Sequence, residues 1–85
     1  MKKFYYDVTI HYGLVDNVCY DTREESGFDT LEEAIQWSKD QGWDAPIKVI
    51  DNSSSPDYVG HVVVGCVERG DEEDYLLIRR MRRSA

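Results

Sequence analysis

Two histidines and two cysteines are the residues best suited to metal binding or nucleophilic chemistry in this chain. They form the pairs His11–Cys19 and His61–Cys66, with seven and four residues between the members. Structural zinc sites use four tetrahedral ligands and usually contain a short spacing of the C-x2-C kind, which this chain lacks. In a regular strand His61 and Cys66 would face opposite sides, because side chains alternate. We therefore predict no metal site and no cofactor.

A catalytic cysteine would need a histidine within hydrogen-bonding reach and a third group to orient it. His11 can meet Cys19 across a hairpin, and His61 can approach Cys19 across a sheet. The cysteines lie in stretches typical of packed strands, and the chain contains no G-x-S-x-G, H-E-x-x-H or phosphate-binding glycine motif. We expect a protein that is not an enzyme, with a small thiol or metal enzyme as the alternative.

Two charge blocks near the C-terminus, within "GDEEDYLLIRRMRR", form the second candidate site. They contain Asp71, Glu72, Glu73, Asp74, Arg79, Arg80, Arg82 and Arg83. The acids could hold a cation, but four consecutive side chains point in different directions. We interpret "GDEED" as an exposed turn that can contact a basic partner. We interpret "RRMRR" as a charged edge strand that discourages aggregation, with a protein or nucleic-acid contact as the alternatives.

The net charge of −7 is unevenly distributed along the chain. Residues 1–78 carry six Lys and Arg against 17 Asp and Glu, which gives −11, and residues 79–85 carry four Arg and no acid, which gives +4. An acidic body repels phosphate backbones, whereas nucleic-acid binders usually present a basic face. Direct nucleic-acid binding is therefore not expected, and a basic protein partner fits better.

The N-terminal stretch "MKKFYYDVTIHYG" lacks the apolar segment of a signal peptide. The chain also lacks an apolar run of about 18–20 residues, the length that crosses a bilayer. We expect a cytoplasmic protein without membrane association. In that compartment Cys19 and Cys66 would be reduced thiols.

The first two predicted strands form a hairpin. The run "KFYYDVTIHY" alternates, and its buried face would carry Phe4, Tyr6, Val8, Ile10 and Tyr12. A turn at Gly13, Asp16 and Asn17 leads into "NVCYDTREE" as the returning strand.

A single helix is predicted at Leu31–Gln41. Thr30 and Glu33 form the T-x-x-E spacing of a capping box, and Gly42 ends the helix. Three more strands are predicted at "PIKVID", "YVGHVVVGCVE" and "YLLIRRM", with "NSSSPD" as a loop and "RGDEED" as a turn. The order β-β-α-β-β-β predicts one α+β domain over residues 1–85: a mostly antiparallel sheet of four to five strands with one α-helix packed on one face.

The fourth and fifth strands have apolar residues on both faces. In the fourth, one face carries Val62, Val64 and Cys66, and the other carries Val59, Val63 and Val67. Strands with this pattern are usually buried on both sides, but one short helix covers only one face. We expect a partner protein or a second copy of the chain on the uncovered face, with coverage by loops and long side chains as the alternative.

Tyr5 and Trp43 are the aromatic residues that the core pattern explains least. Exposed aromatic residues are common anchors of protein interfaces. The predicted partner-binding residues are therefore Tyr5, Trp43, Asp71, Glu72, Glu73, Asp74, Arg80 and Arg82.

The stretch "FDTLEEAIQWSKDQG", with strands on either side, resembles a pattern common in small proteins of bacteria and their phages. In size, acidity and order of elements the chain is similar to phage-type inhibitors of host defence, anti-CRISPR proteins among them. The resemblance implies a protein that occupies a basic surface of a nucleic-acid-handling complex. The C-terminal arginines depart from a pure DNA-mimic pattern. We predict an acidic, non-enzymatic protein-binding module, with a structural or regulatory homodimer as the alternative.

Overall fold

The computed structural model describes residues 3–50 and 55–83. The elements are β1 (Phe4–Leu14), β2 (Asp21–Phe28), α1 (Leu31–Asp40), β3 (Lys48–Val49), β4 (Gly60–Arg69) and β5 (Glu72–Arg82). The strands form one antiparallel sheet in the order β2-β1-β5-β4-β3, and α1 packs on one face against β1 and β2. The predicted α+β class is therefore confirmed. The predicted loop at 52–57 lies partly outside the described residues.

The turn between β1 and β2 follows from Asp16 and Asn17. Both residues have positive φ, at 50° and 66°, the conformation that a two-residue type I′ turn requires. Val15 and Val18 close the turn with reciprocal backbone hydrogen bonds of 2.9 Å. The predicted turn is confirmed, but β2 begins at Asp21, later than expected, and Val18 and Tyr20 project into solvent.

The helix begins where its capping box predicts. Thr30 is extended, and its hydroxyl oxygen accepts a hydrogen bond of 3.1 Å from the Glu33 amide. The helix buries Ala34 and Ser38 and ends at Asp40, one residue before the predicted end. Gly42 follows with φ +102°, a left-handed conformation that favours glycine. Among the described residues no helix has the length and apolar character needed to cross a bilayer.

The position of β5 differs from the prediction. The arginine-rich strand lies in the centre of the sheet, paired with β1 on one side and β4 on the other, and is not an edge. The edges are β2, whose residues are largely charged and exposed, and β3, which has only two residues. Charged and very short edge strands both discourage association between sheets, so the protection predicted for β5 is provided by other strands.

A β-bulge in β4 determines which valines reach the core. His61 pairs with Arg79 and Val63 pairs with Ile78, so Val62 is an extra residue in the ladder. Val62 and Val63 are both buried on the helix side, and the prediction that they face opposite sides is therefore wrong. The core consists of Val8, Ile10, Ala34, Trp43, Val62, Val63, Leu76 and Ile78. The face away from α1, called the open face below, is consequently less apolar than the sequence pattern predicts.

The Thr30 cap leads to a first prediction. Thr30→Ala removes the acceptor for the Glu33 amide and should lower the free energy of unfolding by about 1 kcal/mol. Thr30→Ser is the matched control, because it keeps the hydroxyl and should stay close to the wild type. Urea unfolding followed by circular dichroism measures both. Equal stability of the alanine and serine variants would show that the hydroxyl does not cap α1.

Candidate protein-binding surface

The open face consists of cross-strand rows that the sheet register defines. The central row aligns Thr9, Leu77 and Val64 across β1, β5 and β4. The next rows on either side are His11, Tyr75 and Cys66, and Asp7, Arg79 and His61. The described side chains on this face are all at least partly exposed. The chain therefore presents a mixed polar and apolar sheet surface with a small apolar centre.

One end of the sheet carries a cluster of four acids. We call Glu68, Asp71, Glu72 and Glu73, at the turn between β4 and β5, the acidic end. Glu68 and Glu73 lie directly opposite each other in the ladder, an arrangement of like charges that destabilises a sheet. Among the described residues, none of these four acids lies within 4.0 Å of a lysine or arginine nitrogen. The acidic end is therefore open to a cationic partner.

Tyr75 lies beside the acidic end, and its pKa is raised by that position. The nearby Glu73 carboxylate, as a hydrogen-bond acceptor and as a negative charge, is the main cause that raises the pKa of Tyr75 to about 12. The phenol therefore remains a hydrogen-bond donor over the physiological pH range, and Glu73 has a neutral donor as its neighbour.

Asp74 does not belong to the exposed turn that the sequence predicts. The turn consists of Gly70 and Asp71, and the Asp74 side chain is buried on the helix side. Its carboxylate accepts hydrogen bonds from the Gly13 amide at 2.9 Å and from Arg69 Nε at 3.0 Å. Asp74 thus connects the two hairpins, and the prediction that its side chain is exposed is wrong. Its spacing from Leu76 and Ile78 already places it on the buried side.

Trp43 is a core residue and not the exposed anchor predicted from the sequence. Only 5% of it is exposed, and it packs with the central valines and leucine. A Cβ atom added at Gly65 would lie 2.6 Å from Trp43 Cζ2, so the indole ring rests on the backbone of β4. A glycine inside a strand often marks such a close approach, but it does not show which ring makes it.

Arg80 and Arg82 are largely committed to the fold of their own chain. Arg80 donates hydrogen bonds to the backbone oxygens of Tyr58 and Ser55 and lies 4.5 Å from the centroid of the Phe4 ring. Arg82 lies 5.4 Å from the same centroid. Such cation–π contacts stabilise each cation on the ring face. Arg82 remains about half exposed, so only its outer part is available to a partner.

Tyr5 is half buried on the open face, and its ring also contacts a cation. The guanidinium carbon of Arg83 lies 5.4 Å from the ring centroid, and Arg83 forms an ion pair of 2.6 Å with Asp29. On the same face Arg79 forms an ion pair of 3.3 Å with Asp7. The C-terminal arginines that the sequence set apart as a block therefore already have partners within the fold.

The histidines and cysteines are brought together only in part. His11 Nδ1 lies 3.3 Å from Cys19 Sγ and 3.3 Å from Thr22 Oγ1, as the hairpin predicts. His61 lies in the row of Arg79 and Asp7, and the row of His11 is four residues, or about 13 Å, farther along the strands. His61 therefore does not reach Cys19. Among the described residues no group of three or more His, Cys, Asp or Glu is arranged to hold a metal ion.

A shallow groove of about 410 Å³ crosses the open face near β3. Its lining is mostly apolar and includes Ile47, Val64, Tyr75 and Leu77. The groove is large enough for one or two side chains of another protein. Together with the acidic end, it forms a surface with an apolar centre and a charged rim, which is the usual organisation of protein interfaces.

No protein-family model, curated protein or solved structure matches this chain. Its function is therefore inferred from its own residues.

Asp74 and Asp71 form a matched pair for a second prediction. Asp74→Ala leaves the Gly13 amide without its acceptor and should lower the free energy of unfolding by about 2 kcal/mol. Asp71→Ala changes an exposed residue of the turn and should change stability by less than about 0.5 kcal/mol. Urea unfolding of the two variants measures the difference. Similar losses in both would contradict the buried position of Asp74.

Tyr75 provides a third prediction. Glu73→Gln removes the charged acceptor and should lower the pKa of Tyr75 from about 12 toward its usual value of 10.0. The raised pKa means that the hydrogen bond stabilises the fold below pH 10.0, and that this stabilisation is lost as the pH rises through about 12. The chemical shift of the Tyr75 ring carbon bearing the hydroxyl, followed by NMR, measures the pKa. Glu68→Gln is the control. An unchanged pKa in Glu73→Gln would show that Glu73 does not accept this bond.

Proposed function

We propose that the protein is a non-enzymatic protein-binding module that uses its acidic end to bind a basic surface of a partner. The observation that carries this proposal is the pair Glu68 and Glu73, which face each other without a cation in the described residues. Like charges held opposite each other cost free energy in the isolated protein. A lysine or arginine of a partner placed between them would remove this repulsion, so the cost is recovered on binding.

The distribution of the remaining charges supports the same partner. Arg79, Arg80 and Arg83 contact acids, carbonyl oxygens or aromatic rings of their own chain. These arginines therefore offset the negative potential of the acidic end less than their number suggests. The whole chain has a net charge of −7. Complementary charge accelerates association and selects basic partners.

Basic surfaces of this kind occur above all on proteins that bind nucleic acids. The form of the function that we propose is therefore an inhibitor of the phage type, which occupies such a surface and blocks access of the nucleic acid. The open groove beside Leu77 and Val64 would hold apolar side chains of the same partner.

Affinity capture with two variants of equal charge tests this proposal. The first variant changes the acidic end, with Glu68→Gln, Asp71→Asn, Glu72→Gln and Glu73→Gln. The control changes four exposed acids elsewhere, with Glu24→Gln, Glu25→Gln, Glu32→Gln and Glu33→Gln. We expect the wild type and the control to capture the same basic nucleic-acid-binding protein from a bacterial lysate at an ionic strength of about 0.15 M. The first variant should capture much less.

Two outcomes would contradict the proposal. Equal loss in both variants would mean that only net charge matters, and not the acidic end. Binding of the purified chain to plain duplex DNA, lost when Arg79 and Arg82 are replaced by glutamine, would identify a nucleic-acid binder instead. In either case Glu68 and Glu73 would not form a protein-binding site.

A further inference from the structure

We infer that a cavity at the C-terminal end of α1 binds a free α-amino acid with an apolar side chain. The cavity has a volume of about 460 Å³ and is bordered by the last turns of the helix, by the segment that follows the helix and by β5. This inference goes beyond the proposed function, because it assigns a site on the helix side of the sheet and a small molecule as its ligand.

The lining of the cavity is mainly apolar. Its apolar residues are Ile35, Trp43, Ala45, Pro46, Ile47 and Leu76. Trp43 and Leu76 belong to the core of the protein, so the packing of the sheet holds this part of the lining in place. The volume lies within the range of about 300–1,000 Å³ that is usual for small-molecule sites. A branched or aromatic side chain would lose contact with water on entering the cavity, and this burial favours binding.

The lining also contains two exposed side chains of opposite charge, Lys39 and Asp44. Among the described residues no acid lies within 4.0 Å of Lys39 Nζ, so this ammonium group is available to a ligand carboxylate. The Asp44 carboxylate lies 3.9 Å from Arg69, but 85% of its side chain is exposed, and it can accept a hydrogen bond from a ligand ammonium. The two charges therefore match the two charged groups of an α-amino acid.

Ligands with only one charge fit this lining less well. A carboxylate alone would be repelled by Asp44 and by the net charge of −7, and an ammonium alone would be repelled by Lys39. The C-terminal end of a helix carries a partial negative charge, which favours an ammonium group at this place. Asp40 does not line the cavity and accepts a hydrogen bond from Gln36. A peptide carries its two charges at opposite ends, so a free amino acid matches the lining better.

The indole of Trp43 is an independent indication of a ligand. Its Nε1 atom is buried and has no hydrogen-bond acceptor among the described residues. Buried donors in native proteins nearly always have a partner, and an exception is often explained by a bound group. A ligand carboxylate held by Lys39 would supply an acceptor, directly or through one water. The ring must shift for this contact, because Nε1 is closed to solvent, and the gain of a missing hydrogen bond favours the shift.

The cavity and the groove on the open face are separate sites. Their linings share Pro46 and Ile47. The cavity contacts Leu76, which is buried on the helix side, whereas the groove contacts Leu77 on the opposite face of the sheet. No residue of the acidic end lines the cavity. Failure of the proposed function would therefore not affect a test of this inference.

An NMR titration of the two indole signals tests the inference. Trp37 packs near Phe28 and does not line the cavity, so its Nε1–H signal is an internal control. L-Leucine should shift the Nε1–H signal of Trp43 and leave that of Trp37 unchanged, with a dissociation constant below about 1 mM. Glycine lacks the apolar side chain and should cause no saturable shift up to about 10 mM.

Two analogues of leucine and two variants test the charged contacts. Leucine without its ammonium group is 4-methylpentanoate, and leucine without its carboxylate is 3-methylbutylamine. Each should bind about five-fold more weakly than leucine, because each loses one ion pair. Lys39→Gln should weaken the binding of leucine and 4-methylpentanoate about three- to five-fold, without weakening that of the amine. Asp44→Asn should weaken leucine and the amine, without weakening 4-methylpentanoate. Lys3→Gln and Glu24→Gln make the same charge changes at exposed positions outside the cavity and are the controls.

Three results would overturn the inference. The first is a Trp43 signal that leucine leaves unchanged up to about 10 mM. The second is an equal shift of both indole signals, which would indicate non-specific contact. The third is equal affinity for leucine and its two analogues, which would show that Lys39 and Asp44 do not bind the charged groups. Circular dichroism establishes that the variants are folded, as expected for exposed side chains.

Discussion

The central position of β5 is the constraint on which the rest of the structure depends. β5 pairs with β1 from Glu73 to Arg82 and with β4 from Glu72 to Arg80, so β1 and β5 must meet before the sheet exists. Leu76 and Ile78 of β5 are completely buried between the sheet and α1. Because both hairpins are joined through β5, the contact of Asp74 with the Gly13 amide connects their turns at one end.

The same arrangement separates charge along the strands. The turn between β4 and β5 places Glu68 and Glu73 at one end of the sheet, while the C-terminal half of β5 carries its arginines to the other end. Because a central strand has neighbours on both sides, its arginines contact acids, carbonyl oxygens and aromatic rings of their own chain. Arg80, for example, donates a hydrogen bond to the backbone oxygen of Tyr58 and lies over the ring of Phe4. Glu68 and Glu73 at the turn form no ion pair among the described residues. This asymmetry is the physical basis of the proposed binding.

Local patterns predicted the type and order of the elements, but they could not predict how the strands assemble. The T-x-x-E spacing located α1, and Asp16 and Asn17 located the first turn, because both depend on contacts within a few residues. The strand order depends on pairing between distant segments, so β5 was placed at an edge. Trp43 was taken as exposed because nothing near it in sequence shows that Gly65 leaves room for its ring. The extra residue Val62 shifts the alternation of β4, and no local pattern announces a bulge.

Native-state hydrogen exchange, followed by NMR, tests the central position of β5 most directly. If β5 lies between β1 and β4, the amides of Leu76 and Ile78 should exchange only through global unfolding, with protection equal to the full free energy of unfolding. Amides of the edge strand β2, such as that of Glu24, should exchange through local opening and far faster. Protection of Leu76 and Ile78 no greater than that of Glu24 would show that β5 is an edge strand and would contradict the account of the charged ends.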